Sequence, residues 1–75
     1  MTIRVLGGGC SRCEALLDHA KQAVKAKGVQ AEIQYITDFA TIASYGIMST
    51  PALMIDDRIV SMGRVLKSTE IEKLL

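Results

Sequence analysis

The chain of 75 residues has no tryptophan, one phenylalanine, two tyrosines and a net charge of only +1. Nucleic-acid-binding proteins carry basic stripes and aromatic side chains on which bases stack, and this sequence has neither. No apolar run approaches the roughly 20 residues that a membrane-spanning helix needs. The amino terminus lacks the apolar stretch and cleavage pattern of a signal peptide. We therefore expect a single domain over residues 1–75, located in the cytoplasm, that binds neither nucleic acid nor membranes.

Cysteine is also scarce, since the chain has only two, Cys10 and Cys13, in the stretch GGGCSRCE. Two cysteines in a reducing compartment do not make a structural framework. A bridge across two intervening residues would also remove little chain entropy. The spacing of the pair therefore predicts a chemical role.

Four strands and three helices are predicted along the chain. Alternating or β-branched patterns predict strands over Thr2–Leu6, Val29–Ile36, 51–56 and 58–63. The longest helix is predicted over Ser11–Lys27, where apolar residues recur at helical spacing and Gly28 follows as a cap.

Two shorter helices complete the pattern. Asp38 is expected to cap the first, in which Phe39, Ile42 and Ala43 share a face before Gly46 ends it. The second is expected to start near Ser68 or Thr69, with Thr69 and Glu72 as a capping box, and to bury its apolar side chains, Ile71, Leu74 and Leu75.

The predicted order of elements, βαβαββα, indicates an α/β fold. A strand, helix, strand start implies a right-handed parallel crossover, and the last two strands form an antiparallel hairpin. We expect a mixed sheet of four strands flanked by helices.

Cys10 directly precedes the predicted first helix, where free backbone N–H groups and the helix dipole favour a thiolate. In such a setting the pKa of a cysteine falls from about 8.5 to roughly 3.5–7.5, and a positive charge from Arg12 would lower it further. Residues three apart on a helix are close enough to form a disulfide. Cys13 shares the buried face, so we expect Cys10 to attack a substrate disulfide and Cys13 to resolve the mixed disulfide.

The spacing alone leaves three alternatives open, namely redox exchange, binding of a soft metal or metalloid, and an inert pair. Zinc needs four ligands, and the only histidine, His19, points roughly 120° away from Cys13 on the same helix. A carrier of the copper-chaperone type remains the competing hypothesis. Those domains usually have a methionine shortly before the first cysteine and run βαββαβ. A redox pair would need no bound cofactor.

Pro51 is the only proline and opens a predicted strand. Proline withholds a backbone donor, so its place at a strand start needs a reason, and either a cis Thr50–Pro51 bond or a trans proline on an edge strand would supply one. Met48, three residues earlier, is expected to border the reactive cysteine as part of an apolar docking rim.

Together, the element order, Cys-x-x-Cys after the first strand and "TP" at the third strand resemble the thioredoxin-like fold of thioredoxins and glutaredoxins. The whole chain is most similar to the small redox-active disulfide proteins of archaea and bacteria, through "LGGGCSRCEAL", "YGIMSTPALMIDDRIVSMGRV" and "EIEKLL". The resemblance implies a protein-disulfide oxidoreductase and a cis Pro51 packed beside the cysteines. It also implies that the backbone of Thr50 pairs with a substrate segment. The expected partners are disulfide-containing proteins and a reductase that donates electrons, with the chain itself a monomer.

The sequence departs from that pattern in three places. Thioredoxins proper have a tryptophan before the first cysteine and Gly-Pro within the pair, whereas this chain has Gly9 and then Ser11-Arg12. The first strand has no buried carboxylate to take the proton of the resolving thiol. Only Gly63 stands where glutaredoxins use a glycine pair to hold glutathione.

Overall fold

Seven elements follow one another in a computed structural model that describes residues 1–75. They are β1 Thr2–Leu6, α1 Ser11–Lys27, β2 Glu32–Ile36, α2 Phe39–Ser44, β3 Ala52–Ile55, β4 Arg58–Met62 and α3 Ser68–Glu72. The predicted order βαβαββα is confirmed. β2 is shorter than predicted, because regular pairing with β1 begins only at Glu32.

The strands form one four-stranded mixed sheet in the order β2-β1-β3-β4. β1 pairs with β2 in parallel and with β3 antiparallel, and β4 pairs antiparallel with β3. The β3–β4 register shifts between Leu53 and Met54. β1 therefore lies inside the sheet with a partner on each side, and the loop that carries the cysteines follows directly from it.

Helices cover both faces of the sheet. α1 and α3 pack over one face, where the core consists of Ile3, Val5, Leu16, Ala20, Ala23, Leu53, Ile55, Leu66 and Ile71. α2 and the following loop cover the other face, where Leu6, Ile42, Ile47, Ala52 and Met54 are buried. Alternate residues of the central strands thus feed two separate cores, as the period of two in a strand requires.

α1 has the bounds that the sequence predicts. Cys10 is its N-cap, and Gly28 ends it in the left-handed conformation at φ 66°. Glu14 in the first turn and Lys25 and Lys27 in the last complement the helix dipole. His19 Nδ1 lies 2.8 Å from the carbonyl oxygen of Leu66 and, because a carbonyl only accepts, donates to it. This bond fixes the middle of α1 to the segment that leads into α3.

The expected burial of Leu74 is wrong, since its side chain is 46% exposed. On the face that Phe39, Ile42 and Ala43 were expected to share, Phe39 is 68% exposed and Ala43 also lies at the surface. In α2 only Ile42 is buried, and in α3 only Ile71. Both helices are short, and each inserts a single side chain into the core.

The caps of the short helices differ in their agreement with the sequence. Asp38 caps α2 as predicted, accepting from the backbone N–H of Thr41 at 3.0 Å. The predicted capping box of Thr69 and Glu72 is wrong. α3 begins after Lys67, whose backbone N–H donates to the Glu70 carboxylate at 3.1 Å. Lysine has no side-chain acceptor, so this is half of a capping box. None of the helices is long and apolar enough to cross a membrane.

Candidate active site

Cys10 and Cys13 lie together at the N-terminus of α1, in the dithiol form, with their Sγ atoms 2.9 Å apart. Cys10 is exposed and Cys13 is completely buried. The backbone N–H of Cys13 also donates to Cys10 Sγ at 3.4 Å. The loop and the helix start therefore present one sulfur to solvent and hold the other beneath it.

Their surroundings shift the two pKa values in opposite directions. The pKa of Cys10 is lowered, first by the hydrogen bond from the Cys13 side chain and then by the backbone N–H of Cys13. The pKa of Cys13 is raised, first by burial and then by its bond to Cys10. Because the group with the higher pKa keeps the proton, the Cys13 thiol donates to the Cys10 thiolate. The pair thus consists of one exposed sulfur whose thiolate form is favoured and one buried thiol.

The buried thiol of Cys13 packs directly against the backbone of Gly7. A Cβ on Gly7 would overlap Cys13 Sγ and would lie 2.9 Å from Cys13 Cβ and 3.8 Å from Pro51 Cα. Real Cβ atoms do not approach other atoms so closely, so the close packing of Cys13 requires glycine at this position. The same geometry places Pro51, itself fully buried, beside the buried cysteine.

The segment before β3 lies next to this pair. The Thr50–Pro51 peptide bond is cis. The carbonyl of Pro51 accepts from the N–H of Gly63 at 2.9 Å, which ties the segment to the end of β4. The N–H and C=O of Thr50 have no hydrogen-bond partner within the chain. The half-buried Thr50 therefore offers a free backbone edge.

Arg12 spans the space between α1 and the end of β4. Its Nη2 donates to the carbonyl oxygen of Gly63 at 2.9 Å. The backbone N–H of Arg12 is among the groups that lower the pKa of Cys10. Arg12 and Pro51 are thus joined through the two backbone groups of Gly63, one accepting and one donating.

Exposed apolar side chains lie on the segments that neighbour the cysteine loop and Pro51. Phe39 lies over Gly8, where an added Cβ would stand 2.8 Å from the ring. Met48 is 93% exposed in the segment before Pro51, and is therefore not packed against the cysteines. Met62, which pairs with Ala52, is also exposed.

The sulfur of Cys10 lies on an open surface. The two surface cavities, of about 310 and 340 Å³, are lined by residues of the chain termini, the β3–β4 hairpin, and α3 with the segment before it, and neither cavity includes a cysteine. No three His, Cys, Asp or Glu side chains converge as ligands for a metal ion. The Cys10 sulfur is therefore accessible to a large partner.

A family model described as a thioredoxin domain matches residues 1–75. The chain is 37% identical over 75 residues to a thioredoxin of Methanothermobacter thermautotrophicus, covering 100% of this chain and 97% of that relative. It is 36% identical over 75 residues to a thioredoxin of Methanocaldococcus jannaschii, covering 100% of this chain and 86% of the relative. The chain belongs to the thioredoxin family.

As a member of the thioredoxin family, the chain is a thiol-disulfide oxidoreductase whose dithiol is the Cys-x-x-Cys pair. The resemblance drawn from the sequence is confirmed, together with the fold and the redox class. The separate tasks of Cys10, Cys13, Thr50, Pro51, Met48 and Arg12 stay predictions.

Sequence reasoning missed several residues of this thioredoxin-family site. The three consecutive glycines have different surroundings, since Gly7 packs under Cys13 and Gly8 under Phe39. Only Gly9, at φ 82°, has open space around it. The length of the glycine run was the available signal, since one glycine would suffice for a turn. Nothing in the sequence pointed to Gly63 as the partner of Arg12.

Proposed function

We propose that the chain reduces disulfides of partner proteins, with Cys10 as the nucleophile and Cys13 as the resolving thiol. The asymmetry of the pair carries the proposal. Cys10 is exposed with a lowered pKa, and Cys13 is buried with a raised pKa and lies 2.9 Å away. An exposed thiolate reaches a foreign disulfide, whereas a buried thiol reaches only its neighbour.

The reaction has two exchanges. The Cys10 thiolate attacks one sulfur of the substrate disulfide, the substrate S–S bond breaks, and the released sulfur takes a proton. Cys13 then loses its proton and attacks Cys10 Sγ, and the bond from Cys10 to the second substrate sulfur breaks. The second substrate thiolate leaves and is protonated. The substrate gains two electrons and two protons, and the protein is left with a Cys10–Cys13 disulfide.

Thr50 and Pro51 are proposed to hold the substrate backbone over Cys10. The free N–H and C=O of Thr50 are available to pair with an extended segment in the manner of an added strand. The bond from Gly63 keeps the segment in place. Met48, at 93% exposure, is proposed to contact apolar side chains of the same segment.

Arg12 is proposed to favour the Cys10 thiolate. Its backbone N–H lowers the pKa of Cys10, and its guanidinium, held by the Gly63 carbonyl, adds positive charge beside the site. The charge acts through space, since the guanidinium is bonded to oxygen and not to sulfur.

The proposed setting is the reducing cytoplasm, where thiols are maintained and a reductase returns the electrons after each cycle. The chain would work as a monomer and without a bound cofactor. Its partners would be proteins with accessible disulfides.

The test uses the variant Cys13→Ser, which removes the resolving thiol and leaves Cys10. We expect it to accumulate mixed disulfides through Cys10, both with a purified disulfide protein and in cells, while the wild type releases reduced product. Cys10→Ser is the matched control and should trap nothing. The proposal fails if the wild type forms no reversible Cys10–Cys13 disulfide across a series of redox buffers. Tight Cu(I) binding by the reduced protein without disulfide reduction would support the metal carrier instead.

A further inference from the structure

Tyr35 has a buried hydroxyl group with no hydrogen-bond partner. It lies near the end of β2, opposite Val5 of β1 in the parallel register. Its ring packs against the core beneath α1. Because that strand end lies under the N-terminus of α1, the side chain occupies the layer between the sheet and the helical turn that carries Cys13.

Burying the Tyr35 hydroxyl without an acceptor lowers the stability of the fold. Burying a donor without an acceptor costs about 1–3 kcal/mol, and such groups are rare in folded proteins. Phenylalanine would fill the same space with the same ring and no orphaned group. The oxygen therefore makes no stabilising hydrogen bond in the reduced protein, and its presence points to another role.

The charges around the phenol come from the redox pair and from Glu14. Burial raises the pKa of Tyr35 first, and the negative charges of Cys13, Glu14 and Cys10 raise it further. The nearby backbone N–H of Gly9 lowers the pKa, although it does not reach hydrogen-bond geometry with the hydroxyl. The residues of β1 on the same face, Ile3 and Val5, are apolar. The phenol therefore stays protonated while the cysteines titrate, and it keeps an O–H to donate.

An acceptor appears at this place during the catalytic cycle. In the reduced protein Cys13 keeps its proton and donates to the Cys10 thiolate. Once Cys10 is in a mixed disulfide, that acceptor is lost, and Cys13 must itself become a thiolate in a buried position. β1 has no Asp or Glu that could take the proton, so no carboxylate of that strand assists.

We propose that Tyr35 is a positioning residue for the resolving step, with its buried O–H oriented to donate toward the thiolate that forms on Cys13. The inference rests on the proposed function. Tyr35 keeps its proton throughout. The proton of Cys13 goes to water, the Cys13 thiolate attacks Cys10 Sγ, and the electron pair of the broken bond leaves on the substrate sulfur. The O–H stabilises the anion before the attack, when burial disfavours it most.

The test is the single-turnover reaction with 5,5′-dithiobis(2-nitrobenzoate), an aromatic disulfide that releases a coloured thiolate. Attack by Cys10 releases the first equivalent and leaves the second on Cys10, and attack by Cys13 releases the second. The two phases therefore report the nucleophile and the resolving thiol separately. Tyr35→Phe is compared with the wild type and with Tyr45→Phe, a control on the opposite face of the sheet.

We expect Tyr35→Phe to leave the first phase unchanged and to slow the second about three- to tenfold at neutral pH. This range follows from the loss of one hydrogen bond to a charged group, partly offset by the higher nucleophilicity of a more basic thiolate. The pH at which the second-phase rate is half its maximum should rise. At alkaline pH, where Cys13 is ionised in both proteins, the variant should react as fast as the wild type or faster. Tyr45→Phe should match the wild type throughout.

A second variant keeps the hydroxyl of Tyr35 and makes it a stronger hydrogen-bond donor. The chain has two tyrosines, so 3-fluorotyrosine incorporated into the Tyr45→Phe protein labels only position 35. Its more acidic phenol is a better donor, and we expect the pH at which the second-phase rate is half its maximum to fall. The two changes at one position thus predict shifts of opposite sign.

An unchanged second phase in Tyr35→Phe would overturn the inference, as would an equal slowing at every pH accompanied by lower resistance to urea. The latter is the signature of a structural role alone. Failure of the proposed function looks different, because the wild type would then show no second phase at all.

Discussion

The side chain of Cys13 occupies the space that a Cβ on Gly7 would need. Gly7 is itself bonded to the sheet, since its N–H donates to the carbonyl of Ile36 at 3.0 Å. The buried sulfur of Cys13 is therefore placed by the sheet through Gly7, as well as by the helix to which it belongs. The exposed sulfur of Cys10 has no such support, which suits the atom that must meet a partner.

Gly7→Ala should lower the free energy of unfolding by about 1–3 kcal/mol, because the new methyl group overlaps Cys13 and the core must give way. Urea unfolding measures this. Gly28→Ala is the control. A Cβ at Gly28 would meet open space, so this substitution costs only the backbone strain of φ 66°. Gly7→Ala should also disturb resolution by Cys13, which Gly28→Ala should not. Equal stability and equal resolution in wild type and Gly7→Ala would contradict the packing argument.

Cys13→Ala should raise the pKa of Cys10, because the thiol of Cys13 is the first cause of its lowering. Less thiolate is then present at neutral pH, and alkylation by iodoacetamide should slow. Cys13→Ser restores an O–H donor and should fall between the alanine variant and the wild type. The pH dependence of the alkylation rate gives all three values. If serine and alanine behave alike, the donated hydrogen bond is not the cause.

Arg12→Ala should raise the pKa of Cys10 by less than Cys13→Ala does, because the guanidinium acts on the sulfur only through space. Arg12→Lys keeps the charge and should stay near the wild type. The difference between Arg12→Ala and the wild type should shrink at high salt, since exposed charges are screened. The alkylation profile at two ionic strengths tests this, and an unmoved profile in Arg12→Ala would remove the residue from the site.

The cap of α2 should make stability depend on acid pH. The pKa of Asp38 is lowered by the Thr41 hydroxyl first and by the Thr41 backbone N–H second. A carboxyl with a lowered pKa stabilises the fold above the pKa of the unfolded chain, and that stabilisation is lost as the pH falls through the folded pKa. Asp38→Asn keeps an acceptor but does not titrate, so it should flatten this part of the profile. Urea midpoints from neutral to acid pH measure the difference, and parallel profiles would contradict it.

The sequence determined some parts of this structure locally and left others to packing. β1 and α1 were predictable to the residue because three glycines and Gly28 bound them. The exposure of Phe39 and Leu74 was not predictable, since periodicity tells which side chains share a face but not whether anything covers that face. The N-cap of α3 lies at Lys67 although lysine is not a favoured N-cap residue, because its position depends on where the chain leaves β4.

Some residues of the candidate site could likewise be predicted from the sequence, and others could not. Cys10 and Cys13 were found from their spacing, and Pro51 from its place at the head of a strand. Contacts between distant segments gave no signal in the sequence, including Cys13 on Gly7, Arg12 on Gly63 and Tyr35 beneath α1. Each depends on the sheet order, which brings the ends of β1, β2 and β4 to one side of the molecule.

The position of β1 between two partner strands has a consequence for local stability. Amides of an interior strand exchange with solvent only when the whole domain opens, whereas those of an exposed loop exchange without opening. From Val5 to Gly9 the chain therefore passes from its most protected backbone to some of its least protected within a few residues. The redox pair stands at this boundary, so thermal motion that brings Cys10 to a partner need not loosen the strand from which the loop extends.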